Sequence, residues 1–232
     1  MCAISLAILV PAAFADDLIT GKGEQWKVYN GEPATASFWD INKAQIVGGA
    51  VVVPIQQFVS TTTGSFVIYL LNDYNVNLTG QTITAEANWT PGVAAGGSGT
   101  YETRSTVFSG AYVRVEFQDV ASGHFTSNDY WWNSGSLDLN AVSSGTLTAP
   151  LTNRSQWTNI CGQSATDKTA HPGPNCVGGT DPAVSPYDGF TNAMKNVKLI
   201  GISFGSSGSY ASGIALYDAT GTFTLTNFTI SQ

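Results

Sequence analysis

The sequence has few charged residues and few of the side chains from which catalytic and metal sites are usually built. Only 11% of its 232 residues are charged, with nine Lys and Arg against 16 Asp and Glu, and the formal net charge is −7. Soluble domains usually carry about 25% charged residues. Phosphate binding requires clusters of Lys and Arg, and here the basic residues are scattered along the chain. A role in nucleic-acid binding is therefore disfavoured.

The chain also lacks the short motifs that identify a reaction. It contains no G-x-S-x-G elbow, no H-E-x-x-H and no phosphate-binding loop, and it has only two histidines. A Ser-His-Asp site therefore has no support from the sequence, and no enzyme class is indicated. No apolar run approaches the about 18 residues that a transmembrane helix needs, so we expect no transmembrane segment.

The first fifteen residues have the pattern of a secretory signal peptide. An apolar run from Ala3 to Val10 leads to Ala13-Phe14-Ala15, an A-x-A cleavage pattern. We expect residues 1–15 to be removed and residues 16–232 to form one exported, extracellular domain. No Lys or Arg precedes the apolar run, and the alternative is a buried N-terminal strand.

Three cysteines remain to be assigned, and Cys2 would leave with the signal peptide. Cys161 and Cys176 would then be the cysteines of an exported chain, where such residues usually pair. We predict a disulfide within a long loop at 159–190. Zinc bound by Cys161, His171 and Cys176 is the alternative, although no C-x-x-C spacing supports it.

Short runs of alternating apolar residues between Gly, Ser, Asn and Pro clusters predict an all-β fold. About ten strands favour a two-sheet antiparallel β-sandwich of the jelly-roll type. FVIYLL at 66–71 is apolar on both faces and should be central, and a bulge near Thr226–Asn227 would keep the last strand in register. One helix is indicated at 189–198. The clearest strands are 51–55, 66–71, 82–88, 112–120, 197–205, 212–218 and 222–230.

The strand at 112–120 has a polar face that could bind sugar. Its alternation places Val113, Val115 and Phe117 inward and the polar side chains outward. The outward side chains provide an aromatic ring, a planar guanidinium donor, a carboxylate acceptor and an amide. Proteins bind sugar rings and hydroxyls with such groups. The alternative is a solvated surface on which Arg and Glu form a weak ion pair. The outward residues are Tyr112, Arg114, Glu116 and Gln118.

The run NDYWWNSG, residues 128–135, brings three large aromatic residues together. Neighbours in a strand point to opposite faces, so at least one ring should face away from the core or lie in a loop. Tyr130, Trp131 and Trp132 are therefore candidates for stacking on a ligand, with Trp157 as a further contact. The alternative is that Trp131 and Trp132 close one end of the sandwich.

Two further chemistries have weaker support. Glu86 and Glu116 lie on polar strand faces and could form the carboxylate pair of a glycosidase or lyase if their strands are close. Calcium is the possible cofactor, because the long loop carries several hard oxygen ligands. No EF-hand spacing is present, and aspartates also favour turns. The candidate ligands are Asp167, Asp181 and Asp188.

The last part of the chain resembles secreted jelly-roll domains of the galactose-binding-like kind, which include many carbohydrate-binding modules. An I-G-I-S-F-G strand is followed by a small-residue loop, an S-G-I-A-L strand and a final Thr/Phe strand, and Trp157 and F-T-N-A-M-K-N-V precede them. The resemblance covers about residues 105 to 232 and is one of architecture. It implies non-catalytic glycan binding by a secreted protein and assigns no individual binding residue.

The sequence therefore leaves three functions open. The leading hypothesis is a secreted carbohydrate-binding module that uses exposed aromatic residues and a polar sheet face. The second is a polysaccharide-cleaving enzyme, and the third is a structural or adhesive surface protein, supported by low charge and abundant Thr, Ser and Asn.

Overall fold

The computed structural model describes residues 16–22, 25–31, 38–58, 66–92, 98–103, 107–119, 126–176 and 178–232. The predicted signal peptide, residues 1–15, lies outside the described residues. Within them, β-strands predominate and form the elements given below in chain order.

The strands are numbered along the chain. They are β1 (Asp16–Asp17), β2 (Trp26–Gly31), β3 (Phe38–Lys43), β4 (Gln45–Val47), β5 (Ala50–Ile55), β6 (Gln57–Phe58), β7 (Phe66–Val76), β8 (Thr82–Trp89), β9 (Tyr101–Thr103), β10 (Tyr112–Gln118), β11 (Tyr130–Asp138), β12 (Ser144–Pro150), β13 (Trp157–Asn159), β14 (Gly173–Pro174), β15 (Thr180–Asp181), β16 (Val197–Gly205), β17 (Ile214–Tyr217) and β18 (Gly221–Ser231). Two α-helices, α1 (Leu18–Lys22) and α2 (Pro186–Lys195), and two 3-10 turns at Ser127–Asp129 and Arg154–Gln156 complete the set.

The strands form two large sheets that pack face to face, which confirms the predicted β-sandwich of the jelly-roll type. The smaller sheet has the order β12-β8-β18-β5-β4, with β1 beside β18. The larger sheet has the order β13-β11-β10-β16-β7-β17-β6, with β2, β3 and β9 attached at its side. Pairing is antiparallel except between β17 and β6, and β14 and β15 form a separate ribbon.

Period-two alternation determines which side chains fill the core. β8 directs Ile83, Ala85 and Ala87 inward, and its intervening Thr, Glu and Asn residues face out. β10 likewise directs Val113, Val115 and Phe117 into the core, as predicted. β7 is buried on both faces over its first seven residues, and it pairs with both β16 and β2, so the prediction of a central strand at 66–71 is confirmed.

β18 keeps its apolar residues inward across a change of register. Phe223 and Leu225 have one parity, and Phe228 and Ile230 have the other, yet all four side chains are buried in the same core. The pairing with β8 shifts between Leu225 and Asn227. This irregularity is the predicted bulge, which restores the second pair to the inner face.

Helix α2 begins where the long loop ends. The Ser185 side chain accepts a hydrogen bond from the backbone N–H of Asp188 at 3.2 Å, and Pro186 occupies the first turn, where its missing N–H costs nothing. The helix occupies 186–195, a few residues before the predicted segment. Neither helix in the described part of the chain is long and apolar enough to cross a lipid bilayer.

The long loop at 159–190 is fastened at two points. The predicted disulfide joins Cys161 and Cys176, whose Cα atoms are 5.5 Å apart. Asp181 is buried and accepts hydrogen bonds from the backbone N–H of Ser127 at 2.7 Å and from its hydroxyl at 2.5 Å. The side-chain amide of Asn175 donates to the same carboxylate at 2.8 Å. The loop is therefore tied to the segment that leads into β11.

Candidate functional site

The four polar residues predicted on β10 share one face, and that face points away from the smaller sheet. The alternative of a solvated surface is wrong, however. Arg114 is 4% exposed, Glu116 0% and Gln118 4%, and only Tyr112 is half-buried. Arg114 donates to the backbone oxygen of Ser206 at 3.0 Å instead of forming the considered ion pair with Glu116.

Strand register places Glu116 in the middle of a row that crosses the larger sheet. It pairs directly with Trp132 of β11 on one side and with Gly201 of β16 on the other. Across the sheet, Trp132 pairs in turn with Thr158 of β13, and Gly201 pairs with Leu71 of β7. Directly paired residues lie on the same face of an antiparallel sheet, so these five residues belong to one surface.

A second row runs beside the first. Arg114 pairs with Ser203 of β16, which pairs with Tyr69 of β7, which in turn pairs with Tyr29 of β2. The rings of Tyr29 and Tyr69 meet edge to face with centroids 6.2 Å apart. These two rows, with Gln118 and Tyr130, make up what we call the outer face of the larger sheet.

Aromatic rings surround the polar groups of the outer face. Tyr130 stacks on Trp132 at 6.3 Å with an interplanar angle of 13°, and Tyr210 lies 6.3 Å from the same indole. The Arg114 guanidinium lies 4.4 Å from the ring centre of Tyr210 and 5.2 Å from that of Tyr112. Tyr130, Trp132 and Tyr210 belong to a cluster separate from the main core, and Tyr210 and Tyr112 both contact the arginine.

The carboxyl group of Glu116 is perturbed by this environment. Burial raises its pKa from 4.5 to about 8, because the ionised form loses its hydration among aromatic rings. Gln118 donates its side-chain amide to Oε1 at 2.9 Å and opposes the shift. The adjacent Trp132 indole also opposes it, although its N–H does not meet hydrogen-bond geometry. Glu116 is therefore protonated at neutral pH, which is unusual for a carboxylic acid and common at functional sites.

Several buried polar atoms of this face have no hydrogen-bond partner. Native proteins pair the great majority of such atoms, with protein groups or with ordered water. Here the orphaned atoms come from four adjacent strands and cluster around Glu116. They are Glu116 Oε2, Arg114 Nε, Trp132 Nε1, Thr158 Oγ1 and Ser203 Oγ.

Two of the predicted aromatic contacts lie elsewhere. Trp131 and Trp157 are fully buried in the core, where both pack against Phe190 of α2, at 4.9 and 5.7 Å between ring centres. The prediction that they are exposed is therefore wrong, because alternation along β11 sends Trp131 inward and Trp132 outward. Trp132 is also buried, at 1% exposed, but it lies on the outer face.

The two glutamates considered as a catalytic pair are far apart in the fold. Glu86 is exposed on β8 of the smaller sheet, and Glu116 lies on the outer face of the larger sheet. The inward faces of both sheets and the core between them separate the two carboxyl groups. The interpretation of Glu86 and Glu116 as one glycosidase or lyase pair is therefore wrong.

The candidate calcium ligands each have protein partners. Asp167 accepts from the backbone of Thr169 and contacts the His171 ring at 2.9 Å, which with other local hydrogen bonds lowers the Asp167 pKa. Asp181 binds Ser127, and Asp188 accepts from Ser185 at the start of α2. The described residues contain no group of three or more His, Cys, Asp or Glu side chains placed to hold a metal ion.

Sequence reasoning missed several residues of the outer face. Tyr29, Tyr69, Thr158 and Ser203 come from strands distant in sequence, and Tyr210 comes from the loop after β16. One signal was present, because Ser203 shares parity with Leu199 and Gly201 on the face of β16 opposite its isoleucines. Which strands lie beside β10 could not be obtained from that pattern.

Comparisons with known proteins give little further information. No family model and no curated protein matches the chain. Among solved structures, it is similar to a variant of LamA from Z. galactanivorans, crystallised in complex with laminaritriose and laminaritetraose. The two chains are 10% identical, the likeness covers 91% of this chain and 93% of that one, and the TM-score is 0.40. A likeness this remote assigns neither a function nor a site.

Proposed function

We propose that this protein is exported and binds a glycan, without cleaving it, on the outer face of the larger sheet. The disulfide between Cys161 and Cys176 is of the kind that persists outside the cytoplasm, which supports export. The site comprises Arg114, Glu116 and the aromatic rings around them.

The observation that carries the proposal is the group of orphaned polar atoms around Glu116. A buried donor or acceptor left unsatisfied costs about 1–3 kcal/mol, and five of them occur on one face. Because these atoms have almost no accessible surface, a ligand rich in hydroxyl or carboxyl oxygens would pair with them only when the side chains that cover them move aside. A site that only stabilises the fold would pair these atoms with protein groups or ordered water.

The rings supply the second element of sugar recognition. Tyr130 is half-buried, and its ring stacks on the buried indole of Trp132. Tyr29 and Tyr210 are also half-buried and belong to the same aromatic cluster. Flat apolar rings beside planar hydrogen-bonding groups match the two kinds of surface that a pyranose presents.

A binding assay with one substitution and a matched control tests the proposal. Isothermal titration against a panel of oligosaccharides should give binding, and Tyr130→Ala should weaken it by about tenfold, because one stacked ring is lost. Tyr217→Ala is the control, since this tyrosine is 39% exposed on β17 and lies outside the proposed site. Absence of binding to the whole panel, or equal effects of the two variants, would contradict the proposal.

Polysaccharide cleavage is a second candidate, and the burial of the Glu116 carboxyl among aromatic rings is the observation that favours it. A carboxylic acid with a pKa of about 8 is suited to donate a proton at neutral pH. A cleaving enzyme also needs a base or nucleophile. Of the acidic residues described on this face, Asp73 is held by Lys27 at 2.5 Å, and Asp138, which pairs with Tyr112, accepts from the backbone N–H of Asn140 at 2.9 Å. Release of shorter oligosaccharides that Glu116→Gln abolishes would select cleavage over binding alone.

A further inference from the structure

We propose that the loop after β16, residues 206–212, is a lid that closes over the outer face of the larger sheet and opens to admit the ligand. The inference rests on the proposed glycan-binding function and names how access to that site is controlled. We call these residues the serine loop, because four of the seven are serine.

The polar groups of the outer face are closed to solvent. Arg114 Nε and Ser203 Oγ are buried and have no hydrogen-bond partner within the described part of the chain. Native proteins pair such atoms with protein groups or with water, so contact with water or with a ligand would stabilise them. A ligand can reach them only if the groups that cover them move, and those groups therefore control access.

Tyr210 of the serine loop covers Arg114. Its ring centre lies 4.4 Å from the Arg114 guanidinium and 6.3 Å from the ring centre of Trp132. Ala211 packs on the same aromatic cluster. Strand residues are held by ladder hydrogen bonds, whereas this ring is carried by a loop between β16 and β17. The cover can therefore leave the outer face without disrupting the sheet.

The serine loop crosses directly over the outer face at Gly205. This glycine ends β16 and has the same parity as Ser203, so a side chain at 205 would point to the outer face. A Cβ there would lie 2.4 Å from the backbone oxygen of Ser209 and 2.5 Å from the backbone carbonyl carbon of Tyr210. These distances leave no room for a methyl group, so the closed position of the loop depends on glycine at 205.

The serine loop is a compact unit whose described hydrogen bonds are mostly internal. The Ser206 N–H and the Ser212 hydroxyl donate to the backbone oxygen of Ser209 at 2.9 and 3.0 Å, and the Ser209 N–H donates to the Ser206 hydroxyl at 2.9 Å. Glycines flank the loop at 205 and 213, and Gly213 has a φ of 76°. Since glycine tolerates changes of φ and ψ that other residues do not, the loop can swing as one unit.

Arg114 connects opening of the lid with binding of the ligand. Its Nη1 donates to the backbone oxygen of Ser206 at 3.0 Å, so both this bond and the Tyr210 ring hold the loop to one guanidinium. A further bond runs from the Ser207 N–H to the backbone oxygen of Ser109 at 3.1 Å. A ligand oxygen that accepts from Arg114 would compete with Ser206 and favour the open state through that contact.

Thiol modification measures opening of the lid without any glycan. Ser203→Cys places a thiol on the covered face, and Val115→Cys places one on the core side of the adjacent strand, where only unfolding exposes it. Both reporters are made in a Cys2→Ser background, because Cys161 and Cys176 are already joined in the disulfide. With iodoacetamide, Ser203→Cys should react at least about tenfold faster than Val115→Cys, since local opening is more frequent than unfolding.

Two substitutions should open the lid. Gly205→Ala retains the Tyr210 ring but pushes the backbone of the loop away from the sheet, and Tyr210→Ala removes the ring. Each should accelerate modification of Ser203→Cys by about tenfold and leave that of Val115→Cys unchanged. If Gly205→Ala fails to fold, Tyr210→Ala decides the matter.

Gly208→Ala is the matched control within the same loop. The nearest atoms to a Cβ at Gly208 belong to the ring of Phe108, a side chain that can turn away, so the loop should stay closed. Modification of Ser203→Cys should then proceed at the rate found with the wild-type loop.

The labelling outcomes decide whether the lid exists. Equal reaction rates of Ser203→Cys and Val115→Cys in the wild-type loop would overturn it, because the outer face would then open only by unfolding. An unchanged Ser203→Cys rate in both opening variants would overturn it as well. Equal acceleration of both reporters would show general destabilisation and would also count against a lid.

Binding kinetics with the oligosaccharide panel separate the lid from the proposed function. A glycan that binds the wild type should associate faster with Gly205→Ala, by about the factor found in the labelling, because a larger fraction of the protein is open. If association is unchanged while labelling shows opening, the loop does not control access. If the lid opens but no glycan of the panel binds, the motion stands and the proposed function fails.

Discussion

Gln118 and Glu116 lie two positions apart on β10, and the Gln118 amide donates to Glu116 Oε1 at 2.9 Å with both side chains buried. The second oxygen, Oε2, has no partner. One hydrogen bond does not replace the hydration that an ionised carboxylate loses on burial, so the protonated form is favoured in the folded protein.

The stability of the protein should therefore fall as the pH rises from about 5 to about 8. The folded state holds the Glu116 proton up to about pH 8, whereas an unperturbed carboxyl releases it near 4.5, so the unfolded chain binds fewer protons in this window. The stabilisation from Glu116 is fully present below the unfolded-state pKa of 4.5 and is lost above the folded-state pKa of about 8. Between them, the free energy of unfolding should fall by at most about 1.4 kcal/mol per pH unit. Urea denaturation at several pH values measures it.

Two glutamine variants separate this effect from other titrations. Glu116→Gln keeps the size and hydrogen-bonding groups but cannot ionise, so its stability should be flatter across the same window. Glu86→Gln, the same change at an exposed glutamate of the smaller sheet, should retain the wild-type slope. Equal slopes in all three proteins would show that Glu116 titrates normally.

Gly201→Ala should destabilise the protein by about 1–3 kcal/mol or more, because an added methyl group overpacks the sheet. A Cβ at Gly201 would clash with the backbone oxygen of Leu70 on the adjacent strand, and backbone cannot rotate away as a side chain can. Gly21→Ala is the control, since a Cβ there meets nothing within 4 Å. Thermal unfolding of both variants tests the expectation, and equal melting temperatures would contradict it.

Replacing both cysteines by serine should lower the free energy of unfolding by about 3 kcal/mol, the chain-entropy value for a loop of this length. The disulfide joins residues fifteen positions apart in sequence. Asp181 still ties the loop to Ser127, so the variant should remain folded. Chemical denaturation measures the loss, and wild-type stability after both substitutions would show that the cross-link constrains little.

Asp181→Ala should cost about 2–4 kcal/mol, because the Ser127 N–H and hydroxyl and the Asn175 amide all lose their acceptor. Asp167→Ala is a suitable control, since that carboxylate lies on the surface of the same loop and bonds only locally. Hydrogen exchange should show faster opening at 126–129 and 175–181 in the Asp181 variant. Equal protection in the two variants would contradict a fastening role for Asp181.

The fold was predictable because local patterns agree with one another. The alternation of Val113, Val115 and Phe117 gives the inner face of β10 without knowledge of any neighbour. The change of parity between Leu225 and Phe228 requires an extra residue between them if both are to be buried, and the structure has that irregularity. Both inferences use only the two-residue period of a strand.

The site was predictable only in part, because it depends on which strands become neighbours. The sequence shows that Arg114 and Glu116 share a face, but not that Tyr69 from β7 and Tyr29 from β2 lie beside them. Burial of a polar face also depends on groups contributed from elsewhere, such as Tyr210. An outward polar row therefore looks the same in sequence whether it meets water or aromatic rings.

The consecutive indoles of β11 serve two opposite surfaces, with Trp131 against Phe190 in the core and Trp132 beside Glu116. The face that each indole occupies depends only on its position in the two-residue period of the strand, because each additional residue reverses the direction of the next side chain. Inserting a single amino acid between Trp131 and Trp132 would give both indoles the same parity, so one of them would lose its present surface. Gene variants that change the length of this segment should thus be far less tolerated than those that exchange one aromatic residue for another.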